Sequence, residues 1–291
     1  MNLLEQILQD KRDEVGAAKA ARPLGDLQKK IQDISKPLGF RQALTEHGFG
    51  IIAEIKKKSP SMGAMIPANV QEAPQAYKDS PMVKALSVLT DSKYFGMGIE
   101  HLEELKRQIG KPVLRKDFIM DEYQVFEARA FGADAILLMA SVLERDALRR
   151  LFEAAAGLGM EVLFECHSKQ EIEMIPPGAH LYGINSRKFK TKRGSLRYRA
   201  SRLVGRLKLF EVFGIRDFST DLDLFKELIG HLPESAVKVA ESGLQPNDIC
   251  AVRDLGFDCA LIGTALLKSP MGVRQTLDLF SKALEGRGND K

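Results

Sequence analysis

The feature that most constrains this chain is an alternation of short, β-branched apolar runs with longer stretches of helical periodicity. The runs are GIIAEIK (50–56), KALSVLT (84–90), KPVLRKDF (111–118), ADAILLMA (133–140), MEVLFEC (160–166), LYGIN (181–185), AVKVAES (236–242) and DCALIG (258–263). Between them lie helix-like segments such as IEHLEELKRQIG (99–110), DEYQVFEARAFG (121–132) and LERDALRRLFEAAAGLG (143–159). Gly110, Gly132 and Gly159 stand where helix C-termini are expected. Strand followed by helix, repeated, implies a parallel sheet, because parallel neighbours need a crossover connection. Eight such runs point to an α/β fold of the closed (β/α)8 TIM-barrel kind. No G-x-G-x-x-G follows the first run, which argues against an open dinucleotide-binding sheet.

Two segments fall outside the eight repeats. A ninth apolar run, KLFEVFG (208–214), lies in the long interval between Leu181 and Ala236, and is assigned to a basic insertion after strand six, at about 188–217. Ahead of the first strand, Leu4, Ile7, Leu8 and Lys11 mark a helical stripe that Pro23 interrupts. Residues 1–48 are therefore expected to be a helical extension packed on a catalytic barrel of residues 49–291. The heptads are not sustained enough for a coiled-coil arm.

The 291 residues, 44% hydrophobic and 28% charged, exclude collagen-like and wholly disordered classes and fill a barrel without a disulfide or metal staple. Cys166, Cys250 and Cys259 form no C-x-x-C pair, which suits reduced thiols. No apolar run approaches the roughly 18 residues that cross a bilayer, and Glu5, Asp10 and Asp13 argue against a signal peptide, so a cytoplasmic location away from membranes is expected. The net charge of +4 comes from one segment. Residues 187–208 hold ten Lys or Arg and no acidic residue, and without them the chain is acidic. Such a run reads as a solvated surface or as a face for anions. Only Phe189 and Tyr198 interleave it, a weak basis for nucleic-acid binding.

Strand alternation puts residues i and i+2 on one face. Glu54 and Lys56 then project together from the first strand. Leu114, Lys116 and Phe118 share one face of the third, with Arg115 and Asp117 on the other. Glu165, Asn185 and Glu241 close three further runs. These positions lie at the C-terminal ends of strands, where barrel enzymes build their sites. Each alone could be a surface lysine, a cap or a turn residue. Together, buried lysines and carboxylates must pair, and paired groups with shifted proton affinities suit acid–base work.

Small-residue loops offer a place for a phosphate: Ser59-Pro60-Ser61-Met62-Gly63 after strand one, Glu241-Ser242-Gly243 after strand seven and Gly263-Thr264 after strand eight. Metal and covalent chemistries find little support. There is no H-E-x-x-H, no G-x-S-x-G and no G-x-x-x-x-G-K-[ST], and His167 beside Cys166 lacks partners at metal-ligand spacing. The five histidines read as structural or exposed. The expectation is a reaction on a phosphorylated small molecule with neither metal nor cofactor.

The strings IIAEIKKKSPSMG, LSVLTDSKYF, KPVLRKDFIMDEYQ, GADAILLMAS, VLFECH, GINSRKF, VAESGL and ALIGTALL, in this order, resemble the indole-3-glycerol phosphate synthase family. The resemblance covers most of residues 50–268, and the opening LLEQILQDKRDEVGAAKAARPL looks like that family's N-terminal extension. It implies ring closure of 1-(2-carboxyphenylamino)-1-deoxyribulose 5-phosphate with loss of carbon dioxide and water, in tryptophan biosynthesis. By that likeness Lys116 is the general acid on the substrate carbonyl, Glu165 handles the proton transfer of dehydration, and Lys56 assists as an acid. Glu54 and Asn185 orient these groups. Arg187 meets the anthranilate carboxylate; Phe95, Phe118 and Leu137 line an aromatic pocket; Ser59, Gly243, Gly263 and Thr264 hold the phosphate, with Glu241 and Ser242 nearby. Burial and a second lysine should lower the Lys116 pKa, and the carboxylates should oppose this. The family usually shows two asparagines before the arginine, whereas this chain reads Asn185-Ser186-Arg187. The insertion at 188–217 is expected to act as a lid. Another phosphosugar isomerase, or a retired barrel that binds RNA or an acidic protein, stays as an alternative, as do monomer and homodimer.

Overall fold

A computed structural model describes residues 3–46, 48–186 and 222–285. Arg187, the insertion and its run at 208–214 lie outside the described residues. Eight parallel strands close into a barrel: β1 (Gly50–Ile55), β2 (Val83–Leu89), β3 (Val113–Lys116), β4 (Ala135–Met139), β5 (Glu161–Cys166), β6 (Leu181–Asn185), β7 (Val237–Glu241) and β8 (Cys259–Ile262). Each pairs with its successor and β8 with β1, so the eight runs expected from the sequence are the eight staves. The helices between them end where the glycines predicted: Gly110, Gly132 and Gly159 all have positive φ, a conformation glycine adopts without steric cost.

The pleat sorts the side chains. Ile52, Ala85, Leu114, Ala135, Leu137, Leu163, Leu181, Val237, Val239, Cys259 and Leu261 point inward and fill the barrel as an inner core. The opposite faces of the strands join a larger core beneath the surrounding helices. On β3 this alternation sends Lys116 toward the barrel mouth and Arg115 toward the helices.

Three helices precede β1: α1 (Leu3–Ala21), α2 (Leu24–Gln32) and α3 (Phe40–Thr45). Phe40 and Leu44 of α3 join the inner core from the N-terminal end, where the Cys259 thiol meets the Leu44 carbonyl. Helix α1 covers the other end. Ile7 is buried in the inner core, with Leu3, Leu4 and Leu8 packed against it.

Lys11, on the same stripe, is fully buried. Its ammonium lies 3.0 Å from Asp91, 2.9 Å from Asp117 and 2.9 Å from Glu14. Asp117 also takes Arg115 at 3.0 Å, and Arg115 reaches Glu127 at 3.0 Å. Burial alone would lift the Asp117 carboxyl, but Lys11 and Arg115 outweigh it and hold the group below the usual carboxylate range. Asp91 caps the short helix Ser92–Phe95 by accepting the Tyr94 N–H at 2.7 Å, and Asp117 accepts the Phe118 N–H at 2.8 Å. One lysine of α1 thus ties down the loops that carry Phe95 and Phe118. Removing one partner of a buried network leaves uncompensated charge and costs about 3–5 kcal/mol, against less than about 1 kcal/mol for an exposed pair. Lys11→Met is expected to lower the urea-unfolding free energy by about 3 kcal/mol, whereas Lys19→Met, which loses an exposed pair with Asp121, should change it by less than about 1 kcal/mol. Equal effects from the two would contradict this reading of α1.

Candidate active site

The inward positions at the C-terminal ends of the strands carry charge where the inner core carries carbon. Lys116 lies between two carboxylates, 3.1 Å from Glu165 Oε2 and 2.8 Å from Glu241 Oε2. Glu165 and Glu241 are almost fully buried, at 2% and 1% exposure. Lys56 forms a buried ion pair with Glu54 on the same strand, and Glu54 adds its field to that at Lys116. Asn185, at the end of β6, hydrogen-bonds Glu165. Six residues singled out from strand ends therefore meet in one cluster: Glu54, Lys56, Lys116, Glu165, Asn185 and Glu241.

Electrostatics in the cluster settle a competition that the sequence left open. Burial would lower the Lys116 pKa, but Glu241, Glu165 and Glu54 overcome it and raise it. Lys116 is thus a fixed cation, not a lysine tuned to shed its proton near neutrality. The two carboxylates diverge. Burial, with repulsion from Glu165, pushes Glu241 up to about 7 despite Lys116. For Glu165 burial acts in the same upward direction, but Lys116, His167 and the Asn185 hydrogen bond outweigh it and keep the group below its ordinary value.

Two glycines make room for this chemistry. A Cβ at Gly183, inside β6, would overlap Glu241 Oε1, and one at Gly263 would come within 2.8 Å of the Glu54 Cβ. A glycine in a strand interior often marks such a close approach. Gly263 was expected from the sequence to hold a phosphate; what the structure shows is that it seats Glu54.

Phe118 and Leu137 belong to the inner core, and Phe95 packs against it half-buried. Ser59 is buried, and its Oγ accepts the Met62 N–H at 3.1 Å. The loop after β1 is drawn toward the loop after β8: Lys268 Nζ donates to the Met62 carbonyl at 2.5 Å, and the Ile66 N–H to the Leu267 carbonyl at 3.1 Å. Gly263 caps the short helix Thr264–Leu267. After β7, Ser242 and Gly243 both have φ of 75°, a conformation that costs a serine of order 1–3 kcal/mol and persists only where its surroundings enforce it. Ser186 helps to enforce it. Its hydroxyl donates to the Ser242 carbonyl at 3.0 Å, and its N–H to the Glu241 carbonyl at 3.1 Å. The serine that departs from the usual asparagine thus has a definite task.

Sequence reasoning missed one member of the cluster. His167, read as structural or exposed, lies two residues past Glu165 on the same face, with Nε2 3.6 Å from Glu165 Oε1. The i+2 spacing was a usable signal, but the partner on its other side, Glu171, is supplied by the following helix.

A protein-family model described as indole-3-glycerol phosphate synthase matches residues 4–204. The chain belongs to the indole-3-glycerol phosphate synthase family. Among its relatives, the indole-3-glycerol phosphate synthase of Bacteroides thetaiotaomicron is 35% identical over 98% of this chain and 99% of its own length. That of Chlorobium limicola is 37% identical over 93% and 96%. The fold is also that of 3-hexulose-6-phosphate synthase from Salmonella typhimurium, whose structure matches 81% of this chain and 99% of its own with a TM-score of 0.57 at 13% identity. Among the described residues, no helix is long and apolar enough to cross a membrane.

Two outcomes are expected of this synthase-family site. Gly183→Ala should push Glu241 off Lys116 and lower turnover more than tenfold, while cooperative unfolding and the far-UV circular dichroism spectrum are retained. Because the folded pKa of Glu241 is raised above its unfolded value of 4.5 to about 7, burying its charge weakens the fold progressively as pH rises from 4.5 to 7. Glu241→Gln should therefore raise the thermal midpoint more at pH 8 than at pH 5, and an equal gain at both would contradict the assignment.

Proposed function

We propose that this protein acts as an indole-3-glycerol phosphate synthase, closing the indole ring of 1-(2-carboxyphenylamino)-1-deoxyribulose 5-phosphate with release of one carbon dioxide and one water. The observation that carries the reading is Lys116, held between two buried carboxylates at the mouth of a barrel whose chain belongs to that family.

The roles follow from the charges. Lys116 enters the reaction protonated and faces the substrate carbonyl, where its ammonium stabilises the charge that builds as the aromatic carbon attacks. The alkoxide that results is basic enough to draw its proton. Loss of carbon dioxide from the attacking aromatic carbon restores the aromatic ring. Lys56, steered by Glu54, then protonates the departing hydroxyl, and the new carbon–nitrogen double bond makes the neighbouring C–H acidic. Glu165, kept ionised, takes that proton and the indole is complete.

Phe118, Leu137 and Phe95 offer an apolar wall to the anthranilate ring, and Arg187 is proposed to meet its carboxylate. Ser59, Gly243, Gly263 and Thr264 are proposed to hold the phosphate through the loops after β1, β7 and β8, with Glu241 and Ser242 beside them. The substrate is small and phosphorylated, and a cytoplasmic setting fits such a biosynthetic step.

The test adds the carboxyphenylamino-deoxyribulose phosphate and follows indole fluorescence. The parent protein is expected to produce the signal, and Lys116→Ala to lower turnover by at least a thousandfold, about 4 kcal/mol of barrel-mouth stabilisation, while still folding. A parent protein that gave no indole, or a Lys116→Ala variant with parental turnover, would refute the reading.

A further inference from the structure

His167 belongs to no step derived above, yet it is buried against the reacting groups. It follows β5 directly, so its side chain continues the inward face that carries Leu163 and Glu165. Its backbone N–H donates to Glu171 Oε2 at 2.7 Å, and its Nδ1 lies 3.3 Å from the same oxygen. Glu171 is in the next helix, Lys169–Ile172, whose start Ser168 caps by accepting the Glu171 N–H at 3.3 Å. Gripped by main chain and ring, His167 has its orientation set from the side away from the site. Its other nitrogen, Nε2, faces Glu165 Oε1 at 3.6 Å.

The two carboxylates that share Lys116 are therefore not equivalent. Glu165 presents one oxygen to Lys116 and the other to His167. Glu241 presents one oxygen to Lys116, while its other lies close over Gly183. One ammonium cannot neutralise two buried carboxylates at once, so the pair divides according to what else each carboxylate meets.

We propose that the Glu171–His167 dyad is a positioning unit that gives Glu165 a second cation beside Lys116, holding Glu165 as the ionised base and leaving Glu241 to take up a proton. The proposal rests on the synthase reading above and assigns a further residue to it. Among the described residues, the titratable groups that act on His167 are Glu171 from the following helix, Glu165 from β5 and Glu241 from β7, with Lys116 of β3 beyond the two carboxylates. Burial would make the imidazole less basic, but the Glu171 hydrogen bond and the carboxylate charges outweigh it and raise its pKa above 6.5. The arrangement resembles in logic any carboxylate-oriented histidine, in which the far partner fixes the ring and favours its charged form.

The signs follow. Removing the cation beside Glu165 raises the pKa of that carboxylate, so the acid limb of the turnover profile should move to higher pH. Above the imidazole pKa the parent also lacks this cation, and the two profiles should converge. His167→Gln is expected to shift the acid limb up by about one pH unit, a loss of turnover that grows toward about tenfold as the pH falls below the limb and shrinks to less than about twofold at pH 9, with KM within about twofold throughout. A merely structural role would depress turnover equally at all pH values. Glu171→Gln should shift the limb in the same direction by a smaller amount.

A second readout does not depend on turnover. In the parent protein the His167 imidazole, assigned by its absence from spectra of His167→Gln, should titrate above pH 6.5 by NMR, and its midpoint should fall in Glu171→Gln. If His167→Gln does not fold, Glu171→Gln and this titration carry the test. An imidazole that titrates at or below 6.5 in the parent, or superimposable pH profiles for the parent and the folded variants, overturns the proposal. A parent protein that makes no indole overturns the underlying reading instead, and the imidazole titration still decides whether the dyad exists.

Discussion

One ammonium between two buried carboxylates organises this molecule's chemistry. Moving charges such as Glu165 and Glu241 out of water costs several kcal/mol each unless they are compensated, and Lys116 compensates both only in part. The closed barrel makes the arrangement possible. Parallel strands from distant parts of the chain bring position 116 from β3, 165 from β5 and 241 from β7 to one level above an apolar floor. A flexible surface could not hold three such groups within hydrogen-bond reach. Here the floor of Leu114, Leu163 and Val239 leaves them no other place to go.

The same logic recurs at the periphery with a different purpose. Lys11 is also a buried lysine between carboxylates, but its partners Asp91 and Asp117 lie in the loops after β2 and β3, tied to α1. Alternation along β3 and the residues after it separates the two networks cleanly: Lys116 and Phe118 face the site, and Arg115 and Asp117 face the supporting shell. The supporting network fixes α1 and the backbone at Asp91 and Phe118, and so sets where the apolar wall stands. The network at the barrel mouth is left with a surplus of negative charge, which raises Lys116, while burial and then repulsion from Glu165 raise Glu241.

Much of this was legible in the sequence because local rules and the global fold agree. The β-branched runs became strands, and the positive-φ glycines after the helices fell where the periodicity stopped. The i, i+2 rule paired Glu54 with Lys56 and separated Lys116 from Arg115. What stayed hidden depends on contacts between distant residues. Lys11 read as part of an amphipathic stripe because its partners are 80 and 106 positions away. His167 was passed over in a search for metal ligands, although its spacing from Glu165 is that of a shared face. The direction of the Lys116 shift turned on a sum of opposing effects that residue spacing does not weigh. Ser186 looked like a loss from the family pattern until its bonds to the Ser242 and Glu241 carbonyls gave it a part in holding a strained turn.

The central claim is geometric: Lys116 faces the carbonyl at which the ring closes. The most direct test is a crystal structure with a substrate analogue in which that carbonyl is reduced to an alcohol. The account predicts the alcohol oxygen at about 2.7–3.2 Å from Lys116 Nζ, with the aromatic ring against Phe118 and Leu137 and Glu165 still on the lysine. An analogue whose alcohol points away from Lys116, or whose ring occupies a different part of the barrel mouth, would contradict it.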